Sequence, residues 1–364
     1  MRILIVGAGI AGLALAGALE RRGIIAEVVE RTTVAKRSGT GMYLQANAMR
    51  ALDELGVGAL VTARANPIRR QRILDHRGRQ LADIDLAQIW DGVGECVAVH
   101  RADLHAALRT VAARVPIREG TPVTGLDAGR PMTRVTFGDG TRESYDLVIG
   151  ADGTHSTVRR LALGGSSVRY MGQLSWRFVA RGFQDITDWT VRLGPGRSFL
   201  TVALGGGVVY CYADVNTAVD ASGSGDDWRA LFADFAAPVP QLLGQAAMAY
   251  RARIEEVSTP AWTTGRVVLI GDAAHAASPN MAQGAALAVE DAMVLADELT
   301  NGQAVDAAIV AYGRRRTDRV AWVRQQTHRR DRARSLPAAV RNTVLRATAE
   351  RMFRSQYRPL RARP

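Results

Sequence analysis

Three glycines near the N-terminus, Gly7, Gly9 and Gly12, have the spacing G-x-G-x-x-G of a dinucleotide-binding turn. They follow the apolar run 3–6 and open a helix-like pattern, so a strand leads into a helix here. The first glycine permits a tight turn, the second lets backbone approach a pyrophosphate, and the third lets helix and strand pack closely. Glu30 ends the next predicted strand, where a carboxylate can accept hydrogen bonds from ribose hydroxyls. The pattern predicts a nucleotide site without separating FAD from NAD; a chance glycine cluster at a helix–strand corner is the structural alternative.

A second group of chemistry-bearing residues follows the buried-strand pattern 267–270. Asp272 comes just after that strand, where its carboxylate can hold the ribityl hydroxyls of a flavin. Pro279 and the pair Gln283-Gly284 precede a predicted helix, and the N-terminus of that helix can face the pyrimidine edge of the flavin. Reduced flavin carries negative charge at that edge, which a helix dipole and free N–H donors stabilise. This order of residues favours FAD.

A third motif, Tyr-Asp-Leu-Val-Ile-Gly-Ala-Asp-Gly at 145–153, continues through Ser156 and Arg159. The ordered set of three motifs resembles the class A flavoprotein monooxygenases of the p-hydroxybenzoate hydroxylase fold, and within them the salicylate, urate and 3-hydroxybenzoate 6-hydroxylase type. The resemblance spans nearly the whole chain. It implies an α/β fold in which a Rossmann-like, glutathione-reductase-like FAD-binding domain carries an inserted, mostly antiparallel β-sheet domain for the substrate.

The same resemblance implies an activity and its cofactors. NADPH or NADH reduces FAD, dioxygen adds at C4a of the flavin, and the hydroperoxide transfers one oxygen atom to a small molecule. Few charged residues mark the predicted substrate region, which favours a flat, largely apolar aromatic or polyketide-like substrate.

The resemblance also assigns cofactor-binding positions. It places Arg101 where a helix start reaches FAD and Val123 where backbone touches the adenine. Asp152 matches a motif associated with FAD and NAD(P)H, and capping of the following helix is the alternative role. The full set is Gly7, Gly9, Ala11, Gly12, Glu30, Arg31, Arg101, Val123, Asp152, Asp272, Gln283 and Gly284.

One position departs from the family pattern Pro-x-x-Gly-Gln-Gly, because Ala282 stands where the family has its first glycine. Alanine resists positive φ where glycine does not. We therefore expect the loop under the flavin to differ locally.

Candidate catalytic residues are Pro279, His275 and Arg177. Pro279 lies on the loop expected beside the reactive flavin edge. His275 lies in the flavin motif, where a purely structural role is equally open. Arg177 can hold an acidic substrate bidentately, or serve a surface ion pair.

Candidate substrate contacts come from the β-rich middle of the chain. Trp176, with the arginine after it, resembles a Trp-Arg pair frequent in the family. Tyr210 and Tyr212 share one face of a strand because side chains repeat every second residue. A core role for the tyrosines is the alternative.

Other activities remain open on the same motifs: a same-fold epoxidase or isoprenoid reductase, and a non-catalytic flavin-binding module. A halogenase is disfavoured because the W-x-W-x-I-P motif is missing and the only lysine, Lys36, lies next to the nucleotide region. A simple NAD-dependent dehydrogenase would leave the Gly271-Asp272 segment without a role.

The elements that must position these residues divide the chain into three parts. Strands at 3–6 and 26–30 around a helix at 11–22 form a β-α-β unit, and strand 147–150 and helix 284–299 belong with it. We predict an FAD-binding domain from 1–70, 97–165 and 258–313, and a substrate-binding sheet domain from 71–96 and 166–257. A basic helical segment, 314–364, either packs back onto the FAD domain or forms a dimer contact.

Composition narrows the class of protein further. The chain has 364 residues, 47% of them hydrophobic, and a formal charge of +12. Nearly all basic residues are arginine and lack interleaved aromatics, so we expect no nucleic-acid partner. Cys96 and Cys211 are far apart and outside metal-ligand spacing, which predicts free thiols and no metal. Glycines interrupt the apolar N-terminus, so we expect a cytoplasmic monomer or homodimer without a membrane segment.

Overall fold

The computed structural model describes residues 1–33, 40–129, 131–164, 167–217 and 227–364. Lys36 and the predicted domain boundary at 165/166 lie outside these ranges. The strands are β1 (Ile3–Val6), β2 (Glu27–Glu30), β3 (Gly41–Leu44), β4 (Asn66–Pro67), β5 (Arg70–Asp75), β6 (Gln80–Asp85), β7 (Val97–His100), β8 (Ile117–Glu119), β9 (Val123–Asp127), β10 (Thr133–Phe137), β11 (Arg142–Tyr145), β12 (Leu147–Gly150), β13 (Ser167–Ala180), β14 (Trp189–Leu193), β15 (Arg197–Gly205), β16 (Val208–Asn216), β17 (Tyr250–Ser258), β18 (Thr263–Thr264) and β19 (Val267–Leu269).

The helices connect and cover these strands. They are α1 (Ile10–Glu20), α2 (Ala46–Leu55), α3 (Gly58–Thr62), α4 (Leu86–Ile89), α5 (Arg101–Val111), α6 (Thr157–Leu163), α7 (Val239–Leu243), α8 (Asp272–His275), α9 (Gly284–Thr300), α10 (Val305–Arg334) and α11 (Ala338–Tyr357), with short 3-10 helices at Trp228–Phe232, Pro279–Met281 and Arg358–Arg361.

A six-stranded sheet in the order β18-β19-β12-β1-β2-β8 forms the nucleotide-binding half. Its four central strands, β19, β12, β1 and β2, run parallel. They read as continuous apolar runs because both faces of a parallel sheet are covered. Helix α1 is buried along its whole length and packs on α9. The predicted β-α-β unit is confirmed, with β2 starting one residue later than expected.

A seven-stranded sheet in the order β17-β13-β16-β15-β14-β5-β6 forms the other half. All its pairings are antiparallel except that of β14 with β5. One face packs on an apolar cluster around Phe199 and Phe232, and the opposite face turns toward the nucleotide-binding half and the C-terminal helices. The structure therefore has the predicted class, a Rossmann-like sheet with a mostly antiparallel second sheet.

The C-terminal helices pack back onto the body of the protein. Helix α10 runs unbroken across the predicted boundary at 313/314. Val320 of α10 and Phe353 of α11 share an apolar cluster with Leu204 of the seven-stranded sheet and with Met281. The basic segment thus seals the junction between the two sheets.

Two further expectations can be compared with the described part of the chain. Cys96 and Cys211 are free and buried, and burial raises the pKa of the Cys96 thiol to about 11. No helix among the described residues is long and apolar enough to cross a membrane.

Candidate functional site

The turn between β1 and α1 is built by backbone at very short range. Gly7 has φ +109°, and a Cβ there would lie 2.5 Å from the carbonyl oxygen of Ala151. A Cβ at Gly12 would lie 1.9 Å from the carbonyl oxygen of Gly7. Both positions therefore require glycine, the first also because L-residues rarely adopt that φ.

Gly9 has a different environment. It is the N-cap residue of α1, and a Cβ there would meet no atom of the described residues within 4 Å. Helix α1 has no side-chain cap and no acidic residue in its first turn. No side chain of the described residues thus caps the first N–H groups and the positive dipole end of the helix, which suits an anionic pyrophosphate.

Glu30 at the end of β2 borders the same turn. Its Oε2 accepts from the backbone N–H of Ala8 at 2.9 Å, and its Oε1 accepts from the N–H and hydroxyl of Thr32 at 2.9 and 2.7 Å. Arg31, which follows Glu30, is exposed, and so is Arg101, the first residue of α5. Val123 begins β9 and is buried. The carboxylate is therefore oriented toward the turn that would hold the nucleotide.

Asp152 uses both of its carboxylate oxygens at the start of α6. Oδ2 accepts from the backbone N–H of Thr157 and Val158 at 2.7 and 3.1 Å, and Oδ1 accepts from the hydroxyl of Ser156. Burial raises the pKa of Asp152 against the lowering effect of these bonds. Arg159 of the same motif donates to the carbonyl of Ala273 at 2.8 Å. In this structure the motif caps a helix and ties it to the segment after β19.

The segment from Gly271 to Gly284, which we call the flavin loop, presents polar and backbone groups at the surface. Asp272 and Pro279 are exposed. The Oδ1 atom of Asp272 lies 4.0 Å from where a Cβ would stand on Gly284, the first residue of α9. No side chain of the described residues caps helix α9, so its first N–H groups lie uncapped beside the Asp272 carboxylate.

Ala282 takes a left-handed conformation in this loop, with φ +50°, the sole positive-φ non-glycine residue among the described ones. The expected local difference is therefore not visible in its backbone angles, since alanine adopts the conformation that glycine favours. Such a conformation costs about 1–2 kcal/mol in an L-residue. The surrounding contacts must supply that free energy.

His275 points into a buried polar network rather than toward the loop surface. Its Nε2 lies 2.7 Å from Asp291 Oδ2, which also accepts from the backbone N–H of Gly271 at 2.8 Å. Arg316 of α10 donates from Nε to Asp291 Oδ1 at 2.7 Å. Burial opposes ionisation of Asp291, but the charges of His275 and Arg316 outweigh it and lower its pKa. Because an ionised carboxylate only accepts, His275 Nε2 carries a proton and holds the loop.

Gln283 extends the network to the N-terminus of α2. Its amide exchanges hydrogen bonds with Asn47 at 3.0 and 3.1 Å, and Asn47 also donates to Glu290 Oε1 at 3.0 Å. Glu290 in turn accepts from Arg316 and Arg319 of α10. The Gln283 side chain is thus used to hold the loop, so its backbone is the part left for a cofactor.

The face of the seven-stranded sheet that turns toward the nucleotide-binding half carries Tyr210 and Tyr212. A Cβ on Gly41 would lie 2.5 Å from the Cβ of Tyr210, so β16 and β3 are in direct contact there. Arg177 of β13 is in register with Tyr212 and lies over its ring, 5.5 Å from the centroid. Trp176 points to the opposite face and stacks on Trp228, with centroids 4.9 Å apart. The structure therefore brings Arg177, Tyr210 and Tyr212 together and separates Trp176 from them.

The combined site fits FAD on three observations. Gly9 leaves open space before the first turn of α1. Asp272 is exposed beside the uncapped start of α9. Glu30 borders the glycine turn. The glycine turn and Glu30 match the ADP moiety of FAD. Asp272 matches its polyol chain, and the start of α9 matches the anionic edge of its ring.

Sequence reasoning missed the buried carboxylates and arginines that hold the flavin loop. Glu290 and Asp291 stand in the middle of the otherwise apolar stretch of α9, and that contrast is a signal that could have been read. Arg316 gave no such signal, because Arg314 and Arg315 precede it in the same basic run.

Comparison with known proteins places the chain among flavoproteins. The family model described as FAD binding domain matches residues 1–327. The aurachin C monooxygenase/isomerase of Stigmatella aurantiaca is 35% identical over 328 residues, 88% of this chain and 86% of that protein. The 2-heptyl-3-hydroxy-4(1H)-quinolone synthase of Pseudomonas aeruginosa is 33% identical over 337 residues, 90% of this chain and 88% of that protein. The crystal structure of Klebsiella pneumoniae HpxO complexed with FAD and uric acid has a TM-score of 0.90 at 28% identity, covering 99% of this chain and 96% of the other.

Proposed function

The chain belongs to the FAD binding domain family of flavin-dependent monooxygenases, and we propose that it inserts one oxygen atom from dioxygen into a flat heteroaromatic substrate of the 4-quinolone class. NADH or NADPH would serve as the reductant. The quinolone class is supported by the Pseudomonas aeruginosa relative, a 2-heptyl-3-hydroxy-4(1H)-quinolone synthase. Trp189, Leu200 and Val202 lie beside Tyr210 on the inner face of the sheet, and this apolar part of the face suits a planar ring system that carries few charges.

Bound FAD would supply the chemistry: reduced by NAD(P)H, it activates dioxygen and delivers one oxygen atom to the substrate. The first turn of α1, with Gly9, would hold the pyrophosphate, and Glu30 the ribose. Asp272 would hold the ribityl chain. The free N–H groups at the start of α9 would stabilise negative charge on the reduced ring.

The sheet face would hold the substrate against the flavin loop. Burial raises the pKa of the Tyr212 hydroxyl well above its usual range, so it stays protonated and would donate a hydrogen bond to the substrate. The positive charge of Arg177 lies beside that ring and would stabilise an anionic form of the substrate. Pro279 would border the reacting atoms from the loop side, whereas Trp176 points to the opposite face of the sheet.

The observation that carries the proposal is the joint geometry of Gly9, Asp272 and the uncapped α9, because an enzyme that needed only an ADP moiety would not require the last two. The test is an absorbance spectrum of the purified protein, followed by NADH and NADPH oxidation with 2-heptyl-4(1H)-quinolone, urate and simple phenols. We expect bound oxidised flavin and substrate-stimulated oxidation that yields a product heavier by one oxygen. A protein that takes up no flavin would exclude the function, and a hydrogenated product would indicate a reductase instead.

A matched pair of variants tests the flavin site separately from turnover. Asp272→Asn removes a charged acceptor for the ribityl chain and should raise the FAD dissociation constant about 10- to 100-fold, since a hydrogen bond to a charged group contributes about 1.5–3 kcal/mol. Asp185→Asn, at an exposed position, should leave it unchanged. Equal dissociation constants for the two variants would remove Asp272 from the cofactor site.

A further inference from the structure

A polar group lies where the last turns of α10 meet the flavin loop and the inner face of the seven-stranded sheet. We call it the α10 cluster, and its members are Gln173, Tyr212, Asn280, Asp331 and Arg334. Asp331 and Arg334 lie beyond residues 1–327, the part of the chain matched by the family model. The sequence motifs do not reach this helix end either.

Asp331 has one occupied and one unoccupied carboxylate oxygen. Its Oδ1 accepts from the side chains of Gln173 at 3.4 Å, Ser278 at 3.2 Å and Asn280. Its Oδ2 is buried and has no hydrogen-bond partner among the described residues. A buried acceptor without a donor costs about 1–3 kcal/mol, and more when it is charged. The three donors on Oδ1 fix the orientation of the carboxylate. Oδ2 therefore keeps a fixed direction, although leaving it without a donor costs free energy.

Two more polar atoms of the cluster are buried and have no partner in the described part of the chain: the Tyr212 hydroxyl and Gln173 Oε1. Tyr212 is 7% exposed and Gln173 is 5% exposed, so water does not readily satisfy them. Arg334 acts electrostatically on both Tyr212 and Asp331 and is itself paired with Asp214. A donor-rich and acceptor-rich ligand would satisfy all three atoms, whereas a purely apolar one would satisfy none.

The position of the cluster relates it to the reacting end of the substrate. Ser278 and Asn280, which bind Asp331, flank Pro279 on the flavin loop. Tyr212, on the sheet side, is the strand partner of Arg177. The open carboxylate oxygen thus belongs to the same surroundings as the proposed substrate contacts, and it is supplied by a helix that the motifs did not include.

We propose that Asp331 is the catalytic base of this enzyme, accepting on Oδ2 the acidic ring N–H proton of a bound 4-quinolone. This inference rests on the proposed function. The N–H bond breaks and an O–H bond forms on Asp331, while the electron pair stays on the substrate and delocalises over its ring. The ring becomes a better nucleophile toward oxygen transfer. The carboxylic acid so formed returns its proton to solvent after product release.

The charges around Asp331 suit that role. Burial is the largest influence and raises its pKa, against the lowering effects of its hydrogen bonds and of Arg334. A higher pKa makes a carboxylate a stronger base near neutral pH. The other titratable or charged groups nearby are Arg330, which donates to the Asn280 carbonyl at 2.7 Å, Asp214, and Tyr212. Arg334 and Asp214 neutralise each other as an ion pair, so Asp331 is the carboxylate whose negative charge can attract the substrate proton.

The test uses the full-length, FAD-loaded enzyme with 2-heptyl-4(1H)-quinolone as probe. Asp331→Asn keeps the shape and the acceptor for Gln173, Ser278 and Asn280 but removes the base. We expect normal FAD content, a probe dissociation constant within a few-fold of wild type, and a hydroxylation rate lower by about 100- to 10,000-fold, the usual share of a general base. Asp318→Asn, the same change at an exposed position of the same helix, should match wild type.

The pH profile separates a base from a merely structural carboxylate. In wild type the rate should fall as the pH drops through the raised pKa of Asp331, because the protonated acid cannot accept. In Asp331→Asn the rate should instead climb with pH as the probe ionises in solution, and Asp331→Glu should restore the wild-type limb at reduced rate. Equal rates and profiles for Asp331→Asn and Asp318→Asn would overturn the base while leaving the monooxygenase intact. A wild-type enzyme that hydroxylates no quinolone would overturn both proposals.

Discussion

Arg316 should be the most stability-critical arginine of the chain. Its side chain is fully buried, and it joins Asp291 at 2.7 Å and Glu290 at 3.1 Å. Through Asp291 it reaches the backbone N–H of Gly271 and the ring of His275. Arg316→Met keeps most of the volume and removes the charge, so it tests the ion pairs rather than the packing.

The magnitude follows from what the substitution leaves behind. Breaking a buried ion pair by removing one partner costs about 3–5 kcal/mol, because the other charge stays buried without compensation. Glu290 keeps Arg319 at 2.6 Å and Asp291 keeps His275, which moves the expected loss toward about 3 kcal/mol. The exposed Arg314 supplies the matched control, since surface substitutions usually stay within about 0.5 kcal/mol.

The assay is urea unfolding of FAD-free protein followed by tryptophan fluorescence, which gives the free energy of unfolding for wild type, Arg316→Met and Arg314→Met. A second substitution, Glu290→Gln, removes one of the uncompensated charges and should recover part of the loss in Arg316→Met. The reasoning fails if Arg316→Met lies within 0.5 kcal/mol of the Arg314 control, or if Glu290→Gln adds its full cost to that of Arg316→Met.

Three further outcomes can be measured on the same material. Gly9→Ala should leave the unfolding free energy of FAD-free protein unchanged and weaken FAD binding. Gly12→Ala should fail to fold, because its Cβ would lie 1.9 Å from a carbonyl oxygen. Equal stabilities of the two variants would contradict this. Ala282→Gly should gain up to about 1 kcal/mol by relieving positive φ, and a loss in urea unfolding would show that the loop is not strained there. The pKa of Asp291 is lowered in the folded protein, which contributes stability above the ordinary value of 3.8. That stability is lost as the pH falls through the lower pKa of the folded state. Asp291→Asn should therefore flatten the acid limb of a stability–pH curve measured between about pH 5 and 2.

The family and fold could be predicted because their determinants are local. Gly7 is dictated by its positive φ and Gly12 by a contact within the same turn, and the run before Asp272 is apolar because its strand is covered on both faces. Such constraints leave a readable pattern in a single sequence, and the match to the FAD binding domain family confirms the one inferred here. Side chains along a strand alternate between its two faces. This alternation predicted that Tyr210 and Tyr212 share a face, and it equally implies that the adjacent Trp176 and Arg177 point to opposite faces.

The buried charges could not be predicted in the same way. Arg314, Arg315 and Arg316 are identical in type and adjacent in sequence, yet the first is exposed and the third fully buried. What distinguishes them is the arrival of Glu290 and Asp291 from another helix. A run of arginines alone therefore reads as a solvated basic segment, and the structural role of its members depends on partners that no local pattern records.

Helix α10 consequently links two parts of the site that the motifs treat separately. Its first half, through Arg316 and Arg319, neutralises the carboxylates that hold the start of the flavin loop and Gln283. Its last turn, through Asp331 and Arg334, meets Asn280 of the same loop and the sheet face that carries Tyr212. A shift of this helix would move the flavin support and the proposed substrate base together.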